Sequence, residues 1–398
     1  MNIVDIKSKF PVFKKNSDLV FLDTAASALK VDQMINATND CYSYEYANIH
    51  RGNYDLSSKL TKRFEDSRNK IASYLNVPSK NIIFVKSATE GINLVASSLS
   101  SIFFNDGDEI ILSYLEHHAN IIPWHLCSKK INVVPLNISQ NGEILYDDIK
   151  EKINSKTKLI SLTHMSNVTG SITNFDKVKE FLKKNDIPLL IDGCQYAPHK
   201  KVDIKKLDPD FYVFSAHKIY GPSGLGILYM KDKWIERFPP YQGGGQMIHD
   251  VDINKSSYAE GYEKFEAGTP PISQVIGFSS AIDFMNEIDP DQIFEHEMGI
   301  HNYAIEKLNG FNDIQIYGPN KNKGAIISFN INNVHNSDVG AILDKKNIAI
   351  RTGHHCCQPL MKFYNIKGTS RASFGIYNSY DDVDYFIESI DEIIKLFK

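Results

Sequence analysis

Short apolar runs separated by longer amphipathic stretches recur through the first two thirds of the chain. The runs are Ile82–Val85, Ile110–Leu112, Val133–Leu136, Leu159–Leu162, Leu189–Ile191, Phe211–Phe214 and Leu225–Tyr229. Between several of them lie stretches of helical texture, such as Gly91–Leu99, Ala119–Cys127 and Lys177–Lys184. Strands without a polar face must be covered on both sides, and the intervening helices supply the cover. The pattern therefore predicts an α/β domain around a largely parallel sheet.

Beyond residue 290 the texture changes. A long helical pattern, Ile293–Leu308, leads to strand candidates Ile314–Tyr317 and Ala325–Ile331. A helix at Ser337–Lys345, short strands at Ile348–Arg351 and Arg371–Phe374, and a last helix at Asp381–Phe397 follow. We read three regions: a segment, 1–20, folding back on the smaller unit; a large domain, 21–288; and a smaller α+β domain, 289–398. Pro239–Gly245 and Gly261–Pro271 read as loops.

Composition narrows the function classes. The 398 residues suffice for two or three domains at roughly 150 residues each. Lys plus Arg number 44 against 48 Asp plus Glu, a formal charge of −4, which argues against a nucleic-acid coat or a polybasic membrane surface. No run reaches the ~18 apolar residues of a membrane helix, and the first residues read as neither a signal nor a transit peptide. Five cysteines, Cys41, Cys127, Cys194, Cys356 and Cys357, are odd in number and contain no CxxC. A reducing compartment, the cytoplasm, is the expectation.

Four segments carry chemistry at strand ends, and a fifth lies further on. Lys218 follows the strand Phe211–Phe214, where open α/β sheets bind ligands, although a lysine there can be merely solvated. Asp192 ends the run Leu189–Ile191, poised at the same sheet edge or serving as a helix N-cap. A lysine that forms a Schiff base and a carboxylate that keeps a pyridinium protonated are what pyridoxal phosphate chemistry requires. Ser87-Ala88-Thr89-Glu90-Gly91 opens a helix after Ile82–Val85 and suits a phosphate, or is an ordinary N-cap. Glu116-His117-His118-Ala119-Asn120 offers imidazoles that can stack on a flat ring or relay protons. Arg351-Thr352-Gly353-His354-His355-Cys356-Cys357 fits a reactive thiolate better than a zinc site, because adjacent cysteines seldom ligate one ion. No metal is expected. Gly221–Gly226 has the wrong glycine order for a dinucleotide loop, and a strand follows it.

Together, NIHRGNYDLS, SATEGINLVA, LEHHANIIPW, THMSNVTG, LIDGCQ, DFYVFSAHKIYGPSGLGILY, PPYQGGGQMI, FEAGTP, RTGHHCCQPLM and RAS, in this order, resemble the class V aminotransferase superfamily. They look most like the group II cysteine desulfurases and selenocysteine lyases of the SUF iron–sulfur assembly system. Ala216 departs from the usual glycine of the lysine motif, and Cys357 is an extra cysteine. The resemblance implies a fold-type I pyridoxal 5'-phosphate enzyme acting as a homodimer. It implies conversion of L-cysteine to L-alanine, with a persulfide on Cys356 passed to a SUF-type acceptor protein, and a selenocysteine lyase activity. It implies Lys218 as the Schiff-base lysine, Asp192 on the pyridinium and His117 on the ring. Thr89, Ser215, His217 and Gln195 would hold the cofactor's phosphate and phenolate ends, and Thr269 the phosphate of the partner subunit's cofactor. Asn167, Arg351 and Arg371 would bind substrate, with His50 in a segment approaching the partner's site. Other expectations are an aminotransferase or kynureninase-like enzyme, which needs no thiol, or a zinc-binding interaction protein built on His354, His355 and Cys356.

Overall fold

Seven strands, all but the edge strand Asn132–Leu136 largely buried, form the central sheet of the computed structural model, which describes residues 3–182 and 185–398. Lys183 and Lys184, the end of one expected helix, and Met1 and Asn2, the start of the N-terminal region, lie outside the described residues. In chain order the strands are β1 (Ile82–Val85), β2 (Glu109–Ser113), β3 (Asn132–Leu136), β4 (Thr157–Thr163), β5 (Leu189–Asp192), β6 (Phe211–Ser215) and β7 (Gly226–Met230). They lie in the order β1-β7-β6-β5-β4-β2-β3. The pairs β3–β2, β2–β4, β4–β5 and β5–β6 are parallel, as the apolar runs predict.

Strand β7 runs antiparallel to both of its neighbours. Residues 216–225, between β6 and β7, are too few for the crossover of a dozen or more residues that a parallel return needs. The stretch Ala119–Cys127 is not one helix. It is a 3₁₀ turn, His118–Asn120, and a single α-turn, Ile122–His125. Pro123 has no N–H to extend a hydrogen-bonded ladder and starts a new turn instead.

Five longer helices matter for the site: α1 (Asp55–Tyr74), α2 (Ala88–Ile102), α3 (Ile272–Ile288), α4 (Pro290–Leu308) and α5 (Tyr380–Leu396). Helix α2 follows β1 directly. Gly91 lets it lie close against β6, because a Cβ there would stand 2.7 Å from Cγ2 of Val213. The second sheet contains β8 (Ile314–Tyr317), β9 (Ile326–Ile331), β10 (Arg351–Gly353) and β11 (Thr369–Ser373), in the antiparallel order β8-β9-β11-β10. The expected strand Ile348–Arg351 divides because its halves serve different partners. Ile348–Ala349 pairs with Val20–Phe21, and Arg351 starts the pairing with β11.

Two apolar clusters correspond to the two sheets. The first joins the central sheet to α1, α2 and α3. The second contains Phe329, Phe386 and Ile390. The N-terminal segment touches both. Phe10 enters the larger cluster and packs edge-on to Tyr377 and Tyr220, while Val20 and Leu22 enter the smaller one.

A buried ion pair fixes the segment Phe265–Pro270 against this frame. Arg68 on α1 is 1% exposed and donates through both terminal nitrogens to Glu266, at 2.9 and 2.8 Å. Glu266 also accepts from the backbone N–H of Phe84 on β1, at 2.7 Å. Removing Glu266 takes the bidentate partner from a buried charge, which keeps only Glu65, at Nε, and the Ile82 carbonyl. Glu266→Ala is expected to cost about 3 kcal/mol in denaturant unfolding, against about 1 kcal/mol or less for an exposed pair. A cost in the exposed range would show that the segment is held by something else.

Candidate active site

Parallel strands end on one side of a sheet, and their C-terminal ends deliver the chemistry to one place. A cavity of about 190 Å³ lies there. It is lined by Ser87, Ala88 and Thr89 after β1, His117 after β2, Thr163 and Asn167 at and after β4, and Asp192 and Gln195 at and after β5. Ser215, His217 and Lys218 at and after β6 complete that side. Arg351 and Arg371 of the second sheet close the other. Ten of the residues expected from sequence are thus gathered in one cavity.

Each is placed by its element. Asp192 is 4% exposed, pairs in register between Thr163 and Val213, and accepts from the N–H of Cys194 at 3.0 Å. The amino group of Lys218 has no hydrogen-bond or ion-pair partner among the described residues. Ser87 caps α2, its side chain accepting from Glu90 N–H, and the Ser215 hydroxyl accepts from the N–H of Ala88 at 2.9 Å. The open N-terminus of α2 therefore faces the cavity with its positive end, which suits an anion.

His117 is held in one tautomer. Its Nδ1 accepts from the N–H of Ala119 at 3.1 Å, leaving the ring proton to Nε2. Burial, aided by the charge of Lys218, pushes its pKa down to about 3, so the ring is neutral at ordinary pH. His217 is pushed down to about 4 by burial and Lys218, and its Nδ1 lies 3.1 Å from the Ser27 hydroxyl. Arg371 is wholly buried. It donates through Nη1 to the Asn167 carbonyl at 3.0 Å and through Nη2 to Asp23 at 2.9 Å. Sequence reading did not single out Asp23. Its signal is a carboxylate following the short strand Val20–Phe21, with no motif around it.

The cysteine loop lies beside the cavity. Gly353, His355 and Cys356 have φ of 107°, 51° and 55°, an unusual left-handed path for the latter two. Large-domain groups hold the loop in this shape. Asn167 Nδ2 donates to the carbonyl of His355 at 2.7 Å, and His118 N–H donates to that of Cys356 at 2.8 Å. The Cys356 sulfur lies 3.6 Å from Arg351 Nη2. Cys357 points the other way, buried, its thiol donating to the Tyr114 carbonyl at 3.6 Å. Burial pushes the pKa of that thiol well above the usual thiol range. His355 is also turned inward, its Nε2–H donating to the Thr369 carbonyl at 3.1 Å. His354 Nδ1 accepts from the N–H of Cys356 at 3.0 Å, so this nitrogen and His355 Nε2 are both engaged by the protein itself.

Thr269 and His50 stand apart. Thr269 lines a separate groove with Tyr42, Glu90 and Gln242. His50 is exposed, with its ring 3.0 Å from Glu65.

The cavity fits pyridoxal phosphate. It offers an unpaired amine, a buried carboxylate and a helix N-terminus, in separate places on one wall. Three buried polar atoms among its lining residues lack any partner: Asn167 Oδ1, Gln195 Oε1 and Arg371 Nε. Buried polar groups are normally satisfied, so these three call for a polar occupant.

Comparison with known proteins agrees with this arrangement. The "aminotransferase class-V" family matches residues 20–386. A cysteine desulfurase of Serratia proteamaculans is 41% identical, over 98% of both chains. A solved cysteine desulfurase of Thermococcus onnurineus, in its apo form, superposes with a TM-score of 0.94 at 32% identity, over 98% of both chains. An Escherichia coli cysteine desulfurase, solved as an S-sulfonic acid, gives 0.92 at 34% identity, over the whole of both.

The His117 shift sets a pH dependence. The unfolded chain binds a proton at this ring near pH 6.5, the folded chain only near 3. Protons therefore favour unfolding between those values, and stability falls as pH falls through that window. In urea unfolding of the cofactor-free protein, His117→Asn should flatten this slope by up to about 1.4 kcal/mol per pH unit. An unchanged slope would mean that the ring titrates normally in the folded protein.

Proposed function

The chain belongs to the aminotransferase class-V family, and from that premise we propose that it is a pyridoxal-phosphate-dependent L-cysteine desulfurase. The observation that carries the reading is the position of the Cys356 sulfur. It is partly exposed on a loop held rigidly beside the cavity, 3.6 Å from a cavity arginine. A class V aminotransferase or kynureninase-like enzyme has no use for a thiol there.

Lys218 would hold the cofactor covalently, with Asp192 toward its ring nitrogen and His117 toward its ring. Thr89, Ser215, His217 and Gln195 would hold its phosphate and phenolate. When bound, the cofactor supplies an electron sink at the substrate's α-carbon. Arg371 binds the substrate carboxylate through its unused Nε–H. Asn167 and Arg351 border the same substrate space. Lys218, as a neutral amine, takes the α-proton. The Cys356 thiolate, with Arg351 as counter-charge, then attacks the substrate sulfur. An S–S bond forms as the substrate's C–S bond breaks, leaving a persulfide on Cys356 and, once the β-carbon is protonated and a proton is returned to the α-carbon, L-alanine. The same site serves selenocysteine, whose selenium leaves more readily.

Three further elements belong to this reading. The enzyme works as a homodimer, because Thr269 and His50, outside their own chain's cavity, are free to serve the neighbour's. The persulfide passes to a SUF-type acceptor protein for iron–sulfur assembly. The working place is the cytoplasm, and among the described residues no helix is long and apolar enough to cross a membrane.

The test compares two serine variants in the holoenzyme. Cys356→Ser should abolish alanine release from L-cysteine while the yellow cofactor stays bound, and Cys357→Ser should keep most of the activity. Peptide mass mapping after one turnover should put the extra sulfur on Cys356. The reverse pattern, or full activity in Cys356→Ser, contradicts the assignment.

A further inference from the structure

A second and larger cavity, of about 760 Å³, opens between the two units, away from the first. On one side it is lined by Tyr146, Lys177, Tyr196 and Lys200 of the large unit. On the other stand Phe294 of α4 and Lys321 and Lys323 just before β9. Lys323 is the unusual member. It is 5% exposed, yet its ammonium has no hydrogen bond and no ion pair among the described residues. A lysine so deeply buried is normally paired. Its backbone is tightly held, bridging to Ser171, while Ile172 N–H donates to the carbonyl of Asn322 at 2.8 Å. The side chain cannot escape by moving the segment that bears it.

Among the described residues, the other lysines are also without carboxylate partners. Lys200 lies 3.9 Å over the ring of Phe294, and Lys177 lies 5.2 Å over that of Tyr146. Glu143 is the one acidic residue of the lining, against four lysines. The walls between the charges are aromatic, from Tyr146, Tyr196 and Phe294, and amide groups of Asn302 and Asn322 stand among them. The volume lies within the range of small-molecule sites and exceeds what an inorganic ion would fill.

We propose that this cavity is a binding site for a small organic phosphate, with the phosphate on Lys323 and a flat apolar part against the aromatic walls. Such a ligand supplies the counter-charge that Lys323 lacks, and lysine is a suitable point charge for phosphate. Burial alone holds the Lys323 ammonium down at about 8, a cost that a bound anion would relieve. Because the lining comes from both units, the ligand would bridge them. None of these residues lines the first cavity, and the proposal does not depend on the desulfurase chemistry.

The test is calorimetric titration of the holoenzyme, its first cavity filled by cofactor, at constant ionic strength. Adenosine monophosphate, inorganic phosphate and adenosine are the probes. Adenosine monophosphate should bind once per chain, more tightly than inorganic phosphate, and adenosine should not bind. Lys323→Met should weaken the nucleotide at least about tenfold, the loss of one charge-assisted contact, and leave cysteine turnover unchanged. Lys200→Gln, at a more exposed position, should weaken it severalfold and covers the case in which Lys323→Met fails to fold. Absence of saturable nucleotide binding overturns the proposal. So does undiminished binding in the folded variants, adenosine binding as tightly as its phosphate, or inorganic phosphate binding as tightly as the nucleotide.

Discussion

A guanidinium removed from water needs acceptors, and the two terminal nitrogens of Arg371 find them on different parts of the fold. Arg371 grows from β11 of the second sheet, reaches the carbonyl of Asn167 after β4 of the first, and pairs with Asp23 after the N-terminal strand. Asn167 in turn grips the cysteine loop through the carbonyl of His355. One buried charge thus ties together the two sheets, the N-terminal segment and the loop that bears Cys356. Burial lowers its pKa to about 10, while Asp23 opposes that shift, so the group remains a cation at working pH. Its free Nε is what remains for a ligand.

The remainder of the cavity depends on a division of labour that the parallel sheet makes available. Strands β5 and β6 are adjacent and parallel, so Asp192 and Lys218 emerge at neighbouring points of one edge without either being bent out of a regular element. Helix α2 approaches from the next connection with its N-terminus toward the same cavity, and Gly91 lets it lie close. The two cysteines of the loop show how little separates reactive from inert. Cys357 follows Cys356 directly, but it turns into the core and meets a carbonyl, whereas Cys356 meets an arginine.

Much of this is legible in the sequence because strand ends are legible. Ile82–Val85 is a strand with those ends, and Lys218, Asp192 and Thr89 follow strand ends closely enough for local reading to place them on one sheet edge. What is not legible is long-range. Nothing near Asp23 announces a partner 348 residues away, and nothing near Lys323 announces that no partner waits for it. The antiparallel course of β7 and the splitting of Ile348–Arg351 have the same origin. Hydrophobic texture identifies a strand, but its direction and neighbours depend on connection length and on chain far removed in sequence. The proposed sharing of Thr269 and His50 between subunits would be a property of two chains, with no local signature in one.

The central claim is that the amine at the mouth of β6 and the carboxylate at the end of β5 form a single cofactor site. Borohydride reduction of the yellow holoenzyme, followed by peptide mass mapping, tests it most directly. The account predicts one phosphopyridoxyl mass per chain, on the peptide containing Lys218. The same mass on another lysine, Lys323 included, or none at all in a protein that contains the cofactor, would contradict it.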